Sequence, residues 1–129
     1  MNIKELKEWL WSANKLNGEI EELDKARQKA FALACGKRNG MDKQIAEYID
    51  YSNAIDDNIK NLFAAQTKII NAVKLCDNSI YRSILLARYI NGSTFEEISV
   101  DTGYCYRQVI RLHGQALQHL AKKMSLNVT

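Results

Sequence analysis

The sequence predicts an all-α fold: a long antiparallel two-helix hairpin followed by three shorter helices. Three observations lead there. The 129 residues contain no proline, the residue that most reliably interrupts a helix by removing an N–H and clashing with the preceding turn. Apolar residues recur at alternating steps of three and four over most of the chain, which is helical and not strand spacing. Four of the six glycines, Gly36, Gly40, Gly92 and Gly103, fall where those apolar stripes lapse.

Residues 3–34 are expected to form the first helix, with a stripe of Leu6, Trp9, Ala13, Leu16, Ile20, Leu23, Ala26, Ala30 and Leu33. This is coiled-coil spacing, and Glu21 and Lys25 stand as an i,i+4 pair beside it. The segment 35–42, CGKRNGMD, is polar, with Gly36 placed to end one helix and Asp42 to cap the next. A second helix to about Leu75 carries Ile45, Tyr48, Ser52, Ile55, Ile59, Leu62, Gln66, Ile69 and Val73. Two helices of similar length, each about 50 Å, joined by a short loop should fold back on one another. Such a narrow pair leaves Trp9, Trp11, Phe31, Tyr48 and Phe63 partly uncovered, which points to self-association as a homodimer. The competing expectation is that the C-terminal helices fold back over them.

Residues 76–79, CDNS, offer capping side chains to a third helix over about 79–90, which stops at Asn91-Gly92. Thr94-Phe95-Glu96-Glu97 is a capping box: threonine oxygen to the Glu97 amide, glutamate back to the threonine amide. It opens a fourth helix over about 95–102. A fifth starts near Cys105 and runs to Lys123 or Ser125. The expected division is a hairpin domain, 1–77, and a C-terminal domain, 78–129.

Charge is asymmetric. Residues 1–78 carry twelve Lys/Arg and twelve Asp/Glu, whereas residues 79–129 carry six Lys/Arg against Glu96, Glu97 and Asp101. The net charge of +3 therefore lies in the C-terminal part, as in a module that faces a polyanion. Cys35, Cys76 and Cys105 are odd in number and widely spaced, so neither a disulfide framework nor a zinc site is implied. His113 and His119 are six apart on one predicted helix, about 240° around its axis, and cannot share a metal. No cofactor is expected. No glycine-rich phosphate loop, H-E-x-x-H or nucleophile–base pair occurs, so an enzyme is not expected either. MNIKELKEWLW lacks the apolar core of a signal peptide, and no apolar run approaches the roughly 18 residues of a membrane span. A reduced, cytoplasmic protein without a membrane partner is expected.

Between the fourth and fifth helices stands Thr102-Gly103-Tyr104. Glycine there permits a positive φ and a sharp turn. Phe95 and Ile98 before it, and Tyr104, Val109 and Leu112 after it, stand at the offsets of a helix-turn-helix core, with small Ser99 where the two helices would cross. In this arrangement the second helix enters the DNA major groove.

The stretch YRSILLARYINGSTFEEISVDTGYCYRQVIRLHGQALQHLAKK resembles region 4 of sigma factors. That pattern is R-x-x-L-x-x-R-Y/F, a turn with Gly, T-x-x-E-I-A, G-x-S/T and a recognition helix ending A-L-x-x-L. The matching residues are Arg82, Leu85, Arg88, Tyr89, Gly92, Thr94, Glu97, Ile98, Gly103, Val109, Ala116, Leu117 and Leu120. Two residues depart from it: Ser99 replaces alanine, and Cys105 replaces the Ser/Thr cap of the recognition helix. The wider layout is similar to small phage and prophage regulators of the ArpU/RinA-like group, sigma-like late transcription activators of Gram-positive bacteria.

The resemblance implies a transcription regulator in a bacterial host cytoplasm. Its partners would be double-stranded promoter DNA, with RNA polymerase as a further candidate. On the fifth helix the face Tyr106, Arg107, Ile110, Arg111 and Gly114 would meet the bases, with Gln108 beside it. Arg107 and Arg111 suit bidentate contact with guanine, and Gln108 suits adenine. Gly114 would allow close approach of the DNA backbone. Thr94 and the amides it caps would meet a phosphate; Arg82, Arg88, Lys122 and Lys123 would add phosphate contacts, Arg88 having an ion pair with Glu96 or Glu97 as its alternative. Two other functions fit the layout: a phage small terminase subunit, which would form a many-membered ring, and a coiled-coil adaptor that binds no DNA.

Overall fold

A computed structural model describes residues 2–36 and 41–126. Among the described residues it contains five helices and no strand: α1 (Ile3–Cys35), α2 (Met41–Val73), α3 (Ser79–Tyr89), α4 (Phe95–Thr102) and α5 (Tyr106–Leu126). All five expected helices are present, within about two residues at each end. Gly40 lies outside the described residues, and Gly36 closes α1 through its N–H to the Ala32 carbonyl (3.2 Å) without a positive φ. No described helix is long and apolar enough to cross a membrane.

The chain divides into two compact units, one of residues 1–14 with 65–129, the other of 15–64. The division falls within the two long helices. The reason lies in side chains of the first turns of α1. The Trp11 ring meets Tyr89 edge-on with centroids 6.1 Å apart, and Asn14 Nδ2 donates to the Tyr89 carbonyl (3.0 Å). These join the start of α1 to the end of α3.

In the first unit α5 packs against α3 and α4, and α3 against α4. Ile84, Ile98 and Val109 are buried at the centre, with Ala87, Phe95, Tyr104 and Leu112 packed around them. Leu6, Leu10, Ile69, Val73, Leu85, Leu117 and Leu120 are also buried in this unit. Asn78 caps α3, its side-chain oxygen accepting from the Ile80 and Tyr81 amides. Lys123 pairs with Asp77 at 2.7 Å, and that contact holds the Asp77 carboxyl below its ordinary pKa. His119 Nε2 accepts from the Asp77 N–H (3.4 Å), which ties the far part of α5 to the start of α3.

The second unit contains Ala30 and Ile55 as buried residues. Phe31 of α1 meets Tyr48 of α2 with ring centroids 5.9 Å apart, and the Arg27 guanidinium lies 5.9 Å from the same Tyr48 ring. Several expected stripe residues are not inward: Leu33 is 50% exposed, Ile45 44% and Tyr48 37%. The expected Glu21–Lys25 pair is replaced by Lys25–Glu22 at 3.1 Å. The open question about the aromatic residues has a split answer. Trp11 is half-buried against Tyr89, whereas Phe31 and Phe63 remain 57% and 62% exposed.

Candidate nucleic-acid interface

The candidate surface is built by α4, a tight turn and α5. Thr94 caps α4: its Oγ1 accepts from the Glu97 amide (3.1 Å) and donates to Glu97 Oε1 (3.1 Å). The glutamate thus returns to the threonine hydroxyl and not to its amide as expected. Gly103 ends α4 at φ 79°, with its N–H on the Ser99 carbonyl. An L-residue there would adopt a left-handed conformation, which costs roughly 1–2 kcal/mol. The Ser99 hydroxyl donates to the Tyr104 carbonyl (2.5 Å), so the small residue at the crossing also fastens the turn. This role was not foreseen; the only local signal is a serine where the sigma-like pattern has alanine. The Cys105 carbonyl accepts from the Val109 N–H (3.0 Å), which places Cys105 at the start of α5, where a thiol is a weak substitute for an oxygen cap.

Helix α5 carries no Asp or Glu over its 21 residues. Val109, Ala116, Leu117 and Leu120 are buried. On the opposite side Arg107, Arg111, Gln115, Gln118 and Lys122 follow one another at steps of three and four, all exposed. Tyr106 and Ile110 flank the first two turns, 48% and 38% exposed. Arginine beside apolar side chains is the mixture that reads guanine edges and thymine methyl groups. Gln108 is half-buried at the margin of this face. Thr94 stands apart from it, at the N-terminus of a helix whose first turn holds Glu96 and Glu97. Those carboxylates oppose the phosphate contact expected at Thr94.

Gly114 is half-buried, yet a Cβ added to it would meet nothing within 4 Å. Packing within the chain therefore does not require glycine. Gly114→Ala should raise stability by roughly 0.5–1 kcal/mol, the ordinary gain for alanine inside a helix. If α5 lies against a duplex here, the same variant should bind DNA more weakly. Urea denaturation and duplex titration of one preparation check both; unchanged affinity would remove Gly114 from the interface.

Three basic residues considered for phosphate contact also have partners within the chain. Arg82 donates to the Cys76 carbonyl (2.6 Å), and Lys123 pairs with Asp77. Arg88 has neither expected partner. Its guanidinium lies 4.7 Å from the Trp11 ring centroid and 4.3 Å from that of Phe95, and it donates to the Ser93 carbonyl (3.1 Å). Aromatic faces, not Glu96 or Glu97, hold it.

His113 faces inward from α5, 7% exposed, hydrogen-bonded through Nε2 to the Tyr89 hydroxyl (2.7 Å). Burial, with Lys7 and Arg88 nearby, lowers its pKa to about 4; burial raises that of Tyr89 to about 12. Both are neutral near pH 7. Cys35, Cys76 and Cys105 are free thiols. Among the described residues no three His, Cys, Asp or Glu side chains converge on a metal position. Set against models of known families, curated proteins and solved structures, the chain matches none.

Proposed function

We propose that the chain is a DNA-binding transcription regulator of the phage and prophage kind. In this reading α4, the Gly103 turn and α5 act as a sigma region 4-like helix-turn-helix. The observation that carries it is the acid-free α5, which joins a buried apolar stripe to an exposed row of Arg107, Arg111 and Lys122 directly after a glycine turn. Arg107 and Arg111, with Tyr106 and Ile110 beside them, read base edges; Lys122 meets a phosphate. DNA binding of this kind releases counterions, so log K should fall linearly with log salt, by about 0.9 for each phosphate neutralised. A duplex titration at several salt concentrations measures the slope. A flat dependence would sink the reading.

The remainder of α1 and α2 serves as an antiparallel hairpin that pairs two copies. Its support is the order in which positions of the two helices meet: Phe31 and Arg27 with Tyr48 near the connection, and Glu19, Glu22 and Leu23 lining one recess with Asn58 farther along. Phe31, Ile45 and Tyr48 line one recess on this unit and remain exposed, with Ile49 exposed next to Tyr48 in the chain; an exposed apolar patch marks an interaction surface. Two-fold pairing places two α5 helices on neighbouring half-sites and offsets the modest charge of a single module. Phe31→Ser with Ile49→Ser should shift the chain from dimer to monomer in sedimentation equilibrium. An unchanged mass would place the pairing surface elsewhere, and a ring of many subunits would favour the terminase reading. RNA polymerase remains a further partner of the proposal, with Val100, 82% exposed on acidic α4, on the side away from the buried Ile98.

A further inference from the structure

A recess of about 250 Å³ opens between α1, α3, α4 and α5, lined by Lys7, Trp11, Arg88, Tyr89, Phe95 and His113. Its chemistry differs from that of the α5 face. Two cations line it and no acidic side chain does. Neither Lys7 nor Arg88 has a carboxylate partner among the described residues. Both lie near enough to His113 to oppose its protonation, so two cations converge on the recess without an acidic side chain in its lining.

Arg88 suits an anion there. The ring centroids of Phe95 and Trp11 lie 4.3 and 4.7 Å from its guanidinium carbon, and such aromatic neighbours favour a charged guanidinium. A guanidinium presents its N–H donors as a planar fork that matches the two oxygens of a carboxylate or phosphate. One donor is used by the Ser93 carbonyl; a guanidinium has five. The Lys7 side chain is exposed and supplies a second, movable charge. The recess is smaller than the roughly 300–1,000 Å³ of pockets for drug-sized ligands, so its occupant is small.

We propose that this recess is a binding site for a single oxyanion, a phosphate or carboxylate group, held by the Arg88 edge and the Lys7 ammonium against an aromatic wall. The site joins the first turns of α1 to the end of α3, so an occupant would tie those two elements together. Its source is either a free ion or a backbone phosphate of bound DNA.

The test is an NMR titration of the full chain with inorganic phosphate at constant ionic strength, chloride making up the balance. The His113 ring and Trp11 indole resonances should move together and saturate. Lys7→Gln should weaken the binding about tenfold, the effect of losing one charge-assisted hydrogen bond. Arg88→Lys, which keeps the charge and loses the fork, should also weaken it. Lys25→Gln, an equal charge change in the other unit, should leave it unchanged. A short duplex in place of phosphate moves the same resonances if the occupant is a backbone phosphate and leaves them still if it is a free ion. Shifts that never saturate, or that are identical in the Lys7 and Lys25 variants, would overturn the proposal.

Discussion

Replacing Arg107 and Arg111 together by alanine is expected to lower affinity for a target duplex roughly 30- to 20,000-fold. The range follows from about 1–3 kcal/mol for each bidentate base contact and a factor of ten for every 1.4 kcal/mol. The pair sits on the exposed face of α5, four residues apart, and neither residue makes a hydrogen bond or ion pair within the described residues. The double variant should therefore fold as well as the parent, and equal thermal midpoints would establish that. Binding to unrelated duplexes should fall less than binding to the target, because phosphate contact carries no sequence information. Lys25→Ala serves as a charge control, since Lys25 pairs with Glu22 in the other unit. A parent and double variant of equal affinity would remove α5 as the reading element and leave the adaptor reading.

The second large effect is acid destabilisation through His113. Its folded-state pKa of about 4 lies below the ordinary 6.5, because burial, and after it Lys7 and Arg88, disfavour the imidazolium. An unfolded chain takes up a proton on this ring as pH falls through about 6.5, while the folded chain stays neutral until about 4. The contribution to stability is whole above pH 6.5, declines through that window and is lost below it. A difference of this size corresponds to about 3 kcal/mol. His113→Gln stays neutral throughout and keeps an amide for the Tyr89 hydroxyl. Urea denaturation in phosphate-free buffer should show the parent losing stability between pH 6.5 and 4 and the variant losing distinctly less. Parallel curves would mean that His113 titrates normally and is less enclosed than its 7% exposure implies.

Local signals in the sequence were sufficient to locate the helices. Asn78, Asn91-Gly92, Thr94 and Gly103 each act within a few residues of themselves, through a cap oxygen or a left-handed backbone. The core around Phe95, Ile98, Tyr104, Val109 and Leu112 was legible for the same reason: its residues lie close in the chain and follow helical spacing. Contacts over long separations were not. Leu10 is wholly buried although it stands one residue outside the expected stripe. Leu33 and Ile45 stand on the stripe and remain exposed. A repeat of three and four marks one side of a helix as apolar, but it does not say what covers each turn. Arg88 shows the limit most clearly. Charge alone pointed to Glu96 or Glu97, whereas the fold supplied Trp11, 77 positions earlier in the chain, and Phe95. The α5 face was legible as a pattern, but the recess beside His113 was not, since Lys7 and Trp11 carry no local mark of a shared site.

Sequence-specific DNA binding through α5 is the central claim, and selection from random genomic fragments tests it most directly. Purified parent protein of measured oligomeric state is mixed with the fragments, and the bound fraction is sequenced. Recovery of fragments sharing one sequence, as paired half-sites if the protein is dimeric, with that enrichment lost in the Arg107→Ala, Arg111→Ala double variant, is the predicted result. Recovery with no common sequence, or the same enrichment from the double variant, would contradict it.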